Sequence, residues 1–218
     1  MTTITHHLDE ATILAFAAGT LPEAHGFAAA THAAYCKHCR TAVREAEVLG
    51  GSLLLEEAGT VVTDNCRAAT LAKLDVAVPS VKPAILNSAG EIPAVLCNLL
   101  NNTKLADLPW KKRAPGFAIF EVPLSMGGKT RLQLLRIGPG RSLPEHGHGG
   151  EELTVVLRGS YKDHTGRYTA GDVADLDEET EHQPTVDSDE DCICLVAIEA
   201  PTKFKGVLAR LAQTFVGI

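Results

Sequence analysis

Apolar positions recur every three or four residues through the first third of the chain and every second residue through its second half. Leu8 to Ala18 carries the helical spacing and stops at Gly19, a residue suited to the position just past a helix end. Thr20-Leu21-Pro22-Glu23 has the form of a capping box with proline in the first turn, which predicts a second helix running toward His32. A third helix is expected from about Lys37 to Glu57. There Val43, Ala46, Leu49 and Leu53 form a stripe, and Gly50-Gly51 weakens the middle. Thr63 or Asp64 can cap a short fourth helix with Arg67, Leu71, Leu74 and Val78 on one face.

Between Pro79 and Pro109 the periodicity dissolves into breakers such as Pro83, Asn87-Ser88-Ala89-Gly90 and Pro93, although residues 95–108 have room for one short helix. From Trp110 onward the period is two. Phe117-Ile119, Leu132-Leu134, Leu153-Val155-Leu157 and Ile193-Leu195 alternate, with turns at Gly127-Gly128, Gly138-Pro139-Gly140 and Gly166. Short strands at this spacing predict a small barrel or jelly roll. The tail returns to helical spacing at Phe204, Leu208, Leu211 and Phe215. The expected organisation is multidomain α + β: a helical bundle over 1–80, a linker over 81–104, and a β-barrel over 105–218 that ends in a helix.

Composition narrows the functions this layout can serve. The chain has 218 residues, 45% of them hydrophobic, enough for a sizeable core. A net charge of −7 argues against direct nucleic-acid binding, which needs basic patches. The first residues lack a basic segment leading into an apolar one, and no uncharged apolar run reaches the roughly 20 residues that span a bilayer. A cytoplasmic protein without membrane contact is therefore expected. In that compartment the six cysteines are better suited to metal, redox or core roles than to structural disulfides.

His32-x3-Cys36-x2-Cys39 offers three soft ligands within eight residues. Two thiolates at this spacing grip one tetrahedral ion, and a histidine four residues earlier lies one helical turn back on the same face. The fourth ligand is expected from His6 or His7, with His7 preferred; four protein ligands would make a closed, structural zinc site. The Cys-x2-Cys pair also suits a redox dithiol. His38, between the cysteines, is expected to point away into solvent. With the Ala18-Gly19-Thr20-Leu21 stretch and a histidine near the N-terminus, this segment resembles the zinc-binding anti-sigma domain. The resemblance implies a short helical bundle that holds an extracytoplasmic-function sigma factor away from RNA polymerase, with ligands at His7, His32, Cys36 and Cys39.

Gly140-x5-His146-x-His148-x3-Glu152-x6-Gly159 reproduces the first cupin motif in every spacing. Alternate strand residues His146 and His148 face one side, and Glu152 joins them after a turn. Gly171 and His182 hold the separation of the second motif. However, Asp177-Glu178-Glu179 replaces its Pro-x-Gly turn, and Val186 stands where asparagine is usual. A set of three histidines and one glutamate accepts zinc, manganese, iron or nickel. Cys192 and Cys194 share a strand face and serve either as oxidation-sensitive thiols near this site or as small apolar residues; Cys66 and Cys97 are expected in the core.

Taken together, the two segments resemble ChrR-type anti-sigma factors over nearly the whole chain. The resemblance implies a one-to-one complex with a group IV sigma factor, released in response to singlet oxygen or organic peroxides through the cupin-like domain, and no catalytic residues. Residues 1–78 carry five Lys and Arg against nine Asp and Glu, a balance suited to a basic partner. Ile13, Leu14 and the Leu71-Leu74 stripe are expected either to pack on that partner or to form core. Any signal is expected to pass from the barrel through the linker. The rival functions are a cupin metalloenzyme such as an oxygenase, a non-catalytic small-ligand cupin, and a zinc-dependent DNA-binding regulator.

Overall fold

A computed structural model describes residues 3–75, 92–125, 129–201 and 203–204. The expected linker residues 81–91 lie outside the described residues; Phe204, expected in a tail helix, is instead in a short strand, Lys203–Phe204, and the rest of that expected helix lies outside the described residues. Helix α1 (Glu10–Ala17) is capped by Asp9, whose side chain accepts from Thr12 N. It ends in a Schellman turn: Gly19 N donates to Phe16 O and Thr20 N to Ala15 O, with Gly19 at φ +69°. Helix α2 (Glu23–Tyr35) follows at once. The expected capping box is absent, because Pro22 is the N-cap residue and the Thr20 hydroxyl turns back to Ala15 O. Helix α3 (Lys37–Glu56) runs unbroken through Gly50-Gly51, and α4 (Cys66–Ala72) starts two residues after Asp64. Within the expected linker, α5 (Ala94–Leu99) buries Leu96 and packs against α2.

The second half consists of β1 (Lys111–Ala114), β2 (Phe117–Val122), β3 (Arg131–Ile137), β4 (His146–Gly147), β5 (Glu152–Arg158) and β6 (Ser160–Lys162). These are followed by β7 (Arg167–Thr169), β8 (Val173–Leu176), β9 (Glu181–His182), β10 (Thr185–Val186), β11 (Cys192–Ile198) and β12 (Lys203–Phe204). Among the described residues they form a six-stranded sheet in the order β1-β2-β3-β11-β5-β8 and two three-stranded sheets, β10-β6-β7 and β12-β4-β9. The architecture is thus a cupin-like jelly roll of separate sheets rather than one continuous closed barrel. Every assigned pair is antiparallel.

Burial follows strand alternation on β11. Cys192, Cys194, Val196 and Ile198 point to the interior of the roll with Tyr161 and Tyr168, while Ile193, Leu195 and Ala197 face outward. The outward face is not wet. Helix α2 lies on β5, β11 and β3, and Ala24, Ala28 and Ala29 join Leu132, Leu134, Leu153, Val155 and Leu195 in one continuous core. Alanines on the contact face let the helix axis come close to the sheet, so both faces of β5 and β11 are buried. The expectation that Cys66 and Cys97 lie in the core is corrected. Cys66 is exposed and Cys97 half-buried, and of the α3 stripe Val43 is buried while Leu49 and Leu53 face solvent.

Two candidate metal centres

The first cluster forms where α2 gives way to α3. The chain leaves the helix at Cys36, in extended conformation, and Cys36 N-caps α3 by accepting Cys39 N at 3.4 Å through Sγ. An N-terminal helix end favours negative charge, a suitable place for a metal-binding sulfur. His32 Nε2 lies 3.3 Å from Cys39 Sγ, and His7 Nδ1 lies 3.3 Å from Cys36 Sγ. The ligand-capable atoms of His7, His32, Cys36 and Cys39 all fall within 4.8 Å of one another. His6 is turned away, its ring 4.1 Å from that of Tyr168, and exposed His38 sits beside the His7 ring at 4.6 Å.

This donor set fits a cation. The His32 Nδ1 faces the Gly171 carbonyl at 2.9 Å, and a carbonyl only accepts, so the proton sits on Nδ1 and the Nε2 lone pair points at sulfur. Burial lowers the His32 pKa to about 4, which keeps the ring a neutral donor. Burial also pushes the Cys39 thiol up to about 11, a cost that a bound divalent ion would reverse by stabilising the thiolate. Neither the Gly171 carbonyl nor its neighbour Asp172 was legible as part of this site. Gly171, read only as a cupin-motif glycine, adopts φ +99°, and a Cβ there would meet Ile4 at 3.1 Å. It lets the N-terminal segment close over the roll. The Asp172 carboxylate then holds that segment, accepting Thr5 N at 2.7 Å and His6 N at 3.0 Å.

The second cluster lies inside the roll. Pairing of β4 with β9 sets His146 directly opposite His182, with their Nε2 atoms 3.1 Å apart. His146 Nδ1 donates to Pro144 O and His182 Nδ1 to Asp163 Oδ2, each at 2.8 Å. Both facing nitrogens therefore present lone pairs to each other, an arrangement satisfied by a cation between them. His148 completes the group, all three histidines having ligand atoms within 4.8 Å, and its Nε2 is buried with no protein partner. Glu152 stands to one side, Oε2 at 3.1 Å from His148 Nδ1 and Oε1 accepting the Thr154 hydroxyl at 2.9 Å. Burial raises its pKa, but the bond to His148 and the field of the imidazoles outweigh this and hold it near 2. Asp163 was missed in the sequence because it lies 19 residues before His182, on a turn that no motif marks.

Beside the histidines is an apolar cavity of about 40 Å³ whose walls include Leu135, Tyr161, Cys192, Cys194 and Val196. The two thiol sulfurs are 3.7 Å apart. The neighbouring Cys192 thiol and full burial raise the Cys194 pKa well above its ordinary value, so Cys194 rests as a thiol.

The fold and its two clusters define a class: a helical domain with an N/S metal-type site, seated on a cupin-like domain with a buried three-histidine centre. Residues 101–201 match the family described as the ChrR cupin-like domain. Over 213 residues, 98% of each chain, the sequence is 38% identical to the anti-sigma-E factor ChrR of Cereibacter sphaeroides. The fold is similar to that in the crystal structure of Rhodobacter sphaeroides SigE in complex with the anti-sigma ChrR. That match has 37% identity and TM-score 0.78, covering 90% of this chain and 99% of that one. An RmlC-like cupin protein of Ralstonia eutropha matches at 22% identity and TM-score 0.38, over 44% of this chain and 65% of the other. The chain belongs to the ChrR family.

Proposed function

We propose that this chain is an anti-sigma factor that holds a group IV (extracytoplasmic-function) sigma factor in a one-to-one complex, and that it works by binding rather than by catalysis. The observation that supports it, beyond the identity to ChrR, is the apolar surface after the first cluster. Leu54, Leu55, Val61, Val62 and Leu74 are all exposed, Leu55 at 88% and Val61 at 95%. So many large apolar side chains exposed within one short stretch of chain, residues 54–74, suit a partner that covers them. Zinc held by His7, His32, Cys36 and Cys39 would pin the N-terminal arm to α2 and α3, and so fix the face from which that surface extends. His146, His148 and His182 would hold zinc, manganese, iron or nickel, with Glu152 orienting His148 through Nδ1. This would be a site for sensing singlet oxygen or organic peroxide, with Cys192 and Cys194 as reducing thiols at its edge. A cavity of about 40 Å³ holds only a few water-sized groups, far below the several hundred Å³ of ordinary substrate pockets, which weighs against an oxygenase. No described helix is long and apolar enough to cross a membrane, which accords with action in the cytoplasm.

The test is co-expression of the full chain with each group IV sigma factor of its own organism, followed by sizing and metal analysis. A one-to-one complex with zinc is expected, and Cys36→Ser should lose zinc and partner together. Leu54→Asp with Leu55→Asp should weaken binding by more than about tenfold, since each buried leucine contributes about 1.5–3 kcal/mol. A tight complex that survives both changes would overturn the roles given to zinc and to the apolar surface, and recovery of no complex would overturn the anti-sigma reading itself.

A further inference from the structure

We infer that helix α2 is the direct connection between the two metal-type centres, with His25 as its positioning residue at the cupin end. This rests on the metal assignments proposed above and replaces the linker as the route of communication. His25 and His32 are seven residues apart, two helical turns, and therefore share a face. Both are buried, at 1% and 0% exposure. Each spends one ring nitrogen on a backbone carbonyl of the cupin-like domain: His25 Nε2 on Glu151 O at 3.2 Å, His32 Nδ1 on Gly171 O at 2.9 Å.

The two carbonyls belong to one rod. Glu151 immediately precedes Glu152, the first residue of β5, whose carboxylate meets His148. Gly171 is tied to the same strand four residues on, donating its N–H to Val156 O at 2.8 Å, while Val156 N donates to Asp172 O at 3.0 Å. The span is about 10 Å along the helix and about 17 Å along the strand from Glu151 to Val156, so helix and strand are clamped to each other near both ends. Between the clamps the buried alanines of α2 leave no slack against the sheet. A change in the setting of Glu152 when the roll gains or loses an ion therefore shifts the Glu151 carbonyl. That shift loads His25 and is delivered by a stiff helix to His32 in the other cluster. By linkage, occupancy of either centre alters the affinity of the other by one common factor.

Cobalt(II) titration of the full chain tests this, because a thiolate-to-cobalt absorption band reports the cysteine-containing cluster, and Cys36→Ser assigns the band. Affinity at that cluster is compared between the wild-type chain and His146→Ala, which disables the roll centre, each with and without His25→Leu. The expected result is a shift of about fivefold or more on disabling the roll centre, the lower end of ordinary coupling between sites. It should fall below about twofold in the His25→Leu background and return with His25→Gln, which restores an N–H donor. A wild-type affinity indifferent to His146→Ala overturns the coupling even if His25→Leu fails to fold. A full shift retained by folded His25→Leu overturns the role of His25. Absence of any thiolate band would instead remove the metal assignment beneath the inference, and the inference with it.

Discussion

Replacing Asp172 with alanine removes the acceptor that fastens the N-terminal arm to the cupin-like domain. The carboxylate is fully buried and accepts five hydrogen bonds: from Thr5 N at 2.7 Å, His6 N at 3.0 Å, Thr169 N at 2.8 Å, the Thr169 hydroxyl at 2.9 Å and, at the long end, the Thr5 hydroxyl at 3.5 Å. Bonds to a charged group contribute about 1.5–3 kcal/mol each and neutral ones about 1 kcal/mol. Thr5 and His6 lie near the surface, where water can replace the lost partner, whereas the turn at Thr169 must reorganise. The expected loss for Asp172→Ala is therefore about 3–4 kcal/mol, and for Asp172→Asn about 2 kcal/mol, because the amide keeps one acceptor oxygen. Urea unfolding followed by the fluorescence of the single tryptophan, Trp110, measures it. The same variants should release the metal of the first cluster to a chelator faster, since His7 follows the two residues that Asp172 holds. Glu190→Ala is the control, as its bridge to Arg158 is exposed on both sides and worth less than about 1 kcal/mol. A loss below about 1 kcal/mol for Asp172→Ala, or unchanged metal release, would refute the role of this carboxylate.

Ala28 is fully buried between α2 and the sheet, so Ala28→Leu should lift the helix and cost about 1–3 kcal/mol in the same urea assay. Gly171→Ala combines φ +99° with a Cβ contact of 3.1 Å to Ile4 and should cost about 1–3 kcal/mol, with weaker metal binding at the first cluster. In the metal-free chain, His32 has its pKa depressed from 6.5 to about 4 by burial. Unfolding then takes up a proton between those values, so stability should rise with pH from about 4 to 6.5, and His32→Gln should flatten that slope in urea midpoints. Glu152, held near 2 against an ordinary 4.5, adds a further loss as the pH falls from 4.5 toward 2. A profile that falls with rising pH across that window would contradict the burial of His32.

The spacing of candidate ligands along the chain pointed to the local members of both groups, because residues brought together at one helix end or along one strand leave that geometry in the sequence. His32, Cys36 and Cys39 converge through a single helix-to-helix junction, and His146 and His148 through strand alternation. The helical and β halves were legible for the same local reason, their periods of 3.6 and 2. Contacts between distant segments were not legible. The pairing that sets His182 against His146, the Asp163 carboxylate behind His182, and the inward facing of Cys192 and Cys194 all depend on strand register, which no local pattern carries. The same limit explains why α2 read as an ordinary helix of the first domain. Its buried alanines fit a small bundle or a sheet equally well, and only the folded chain shows the sheet beneath them, with His25 and His32 resting on its carbonyls.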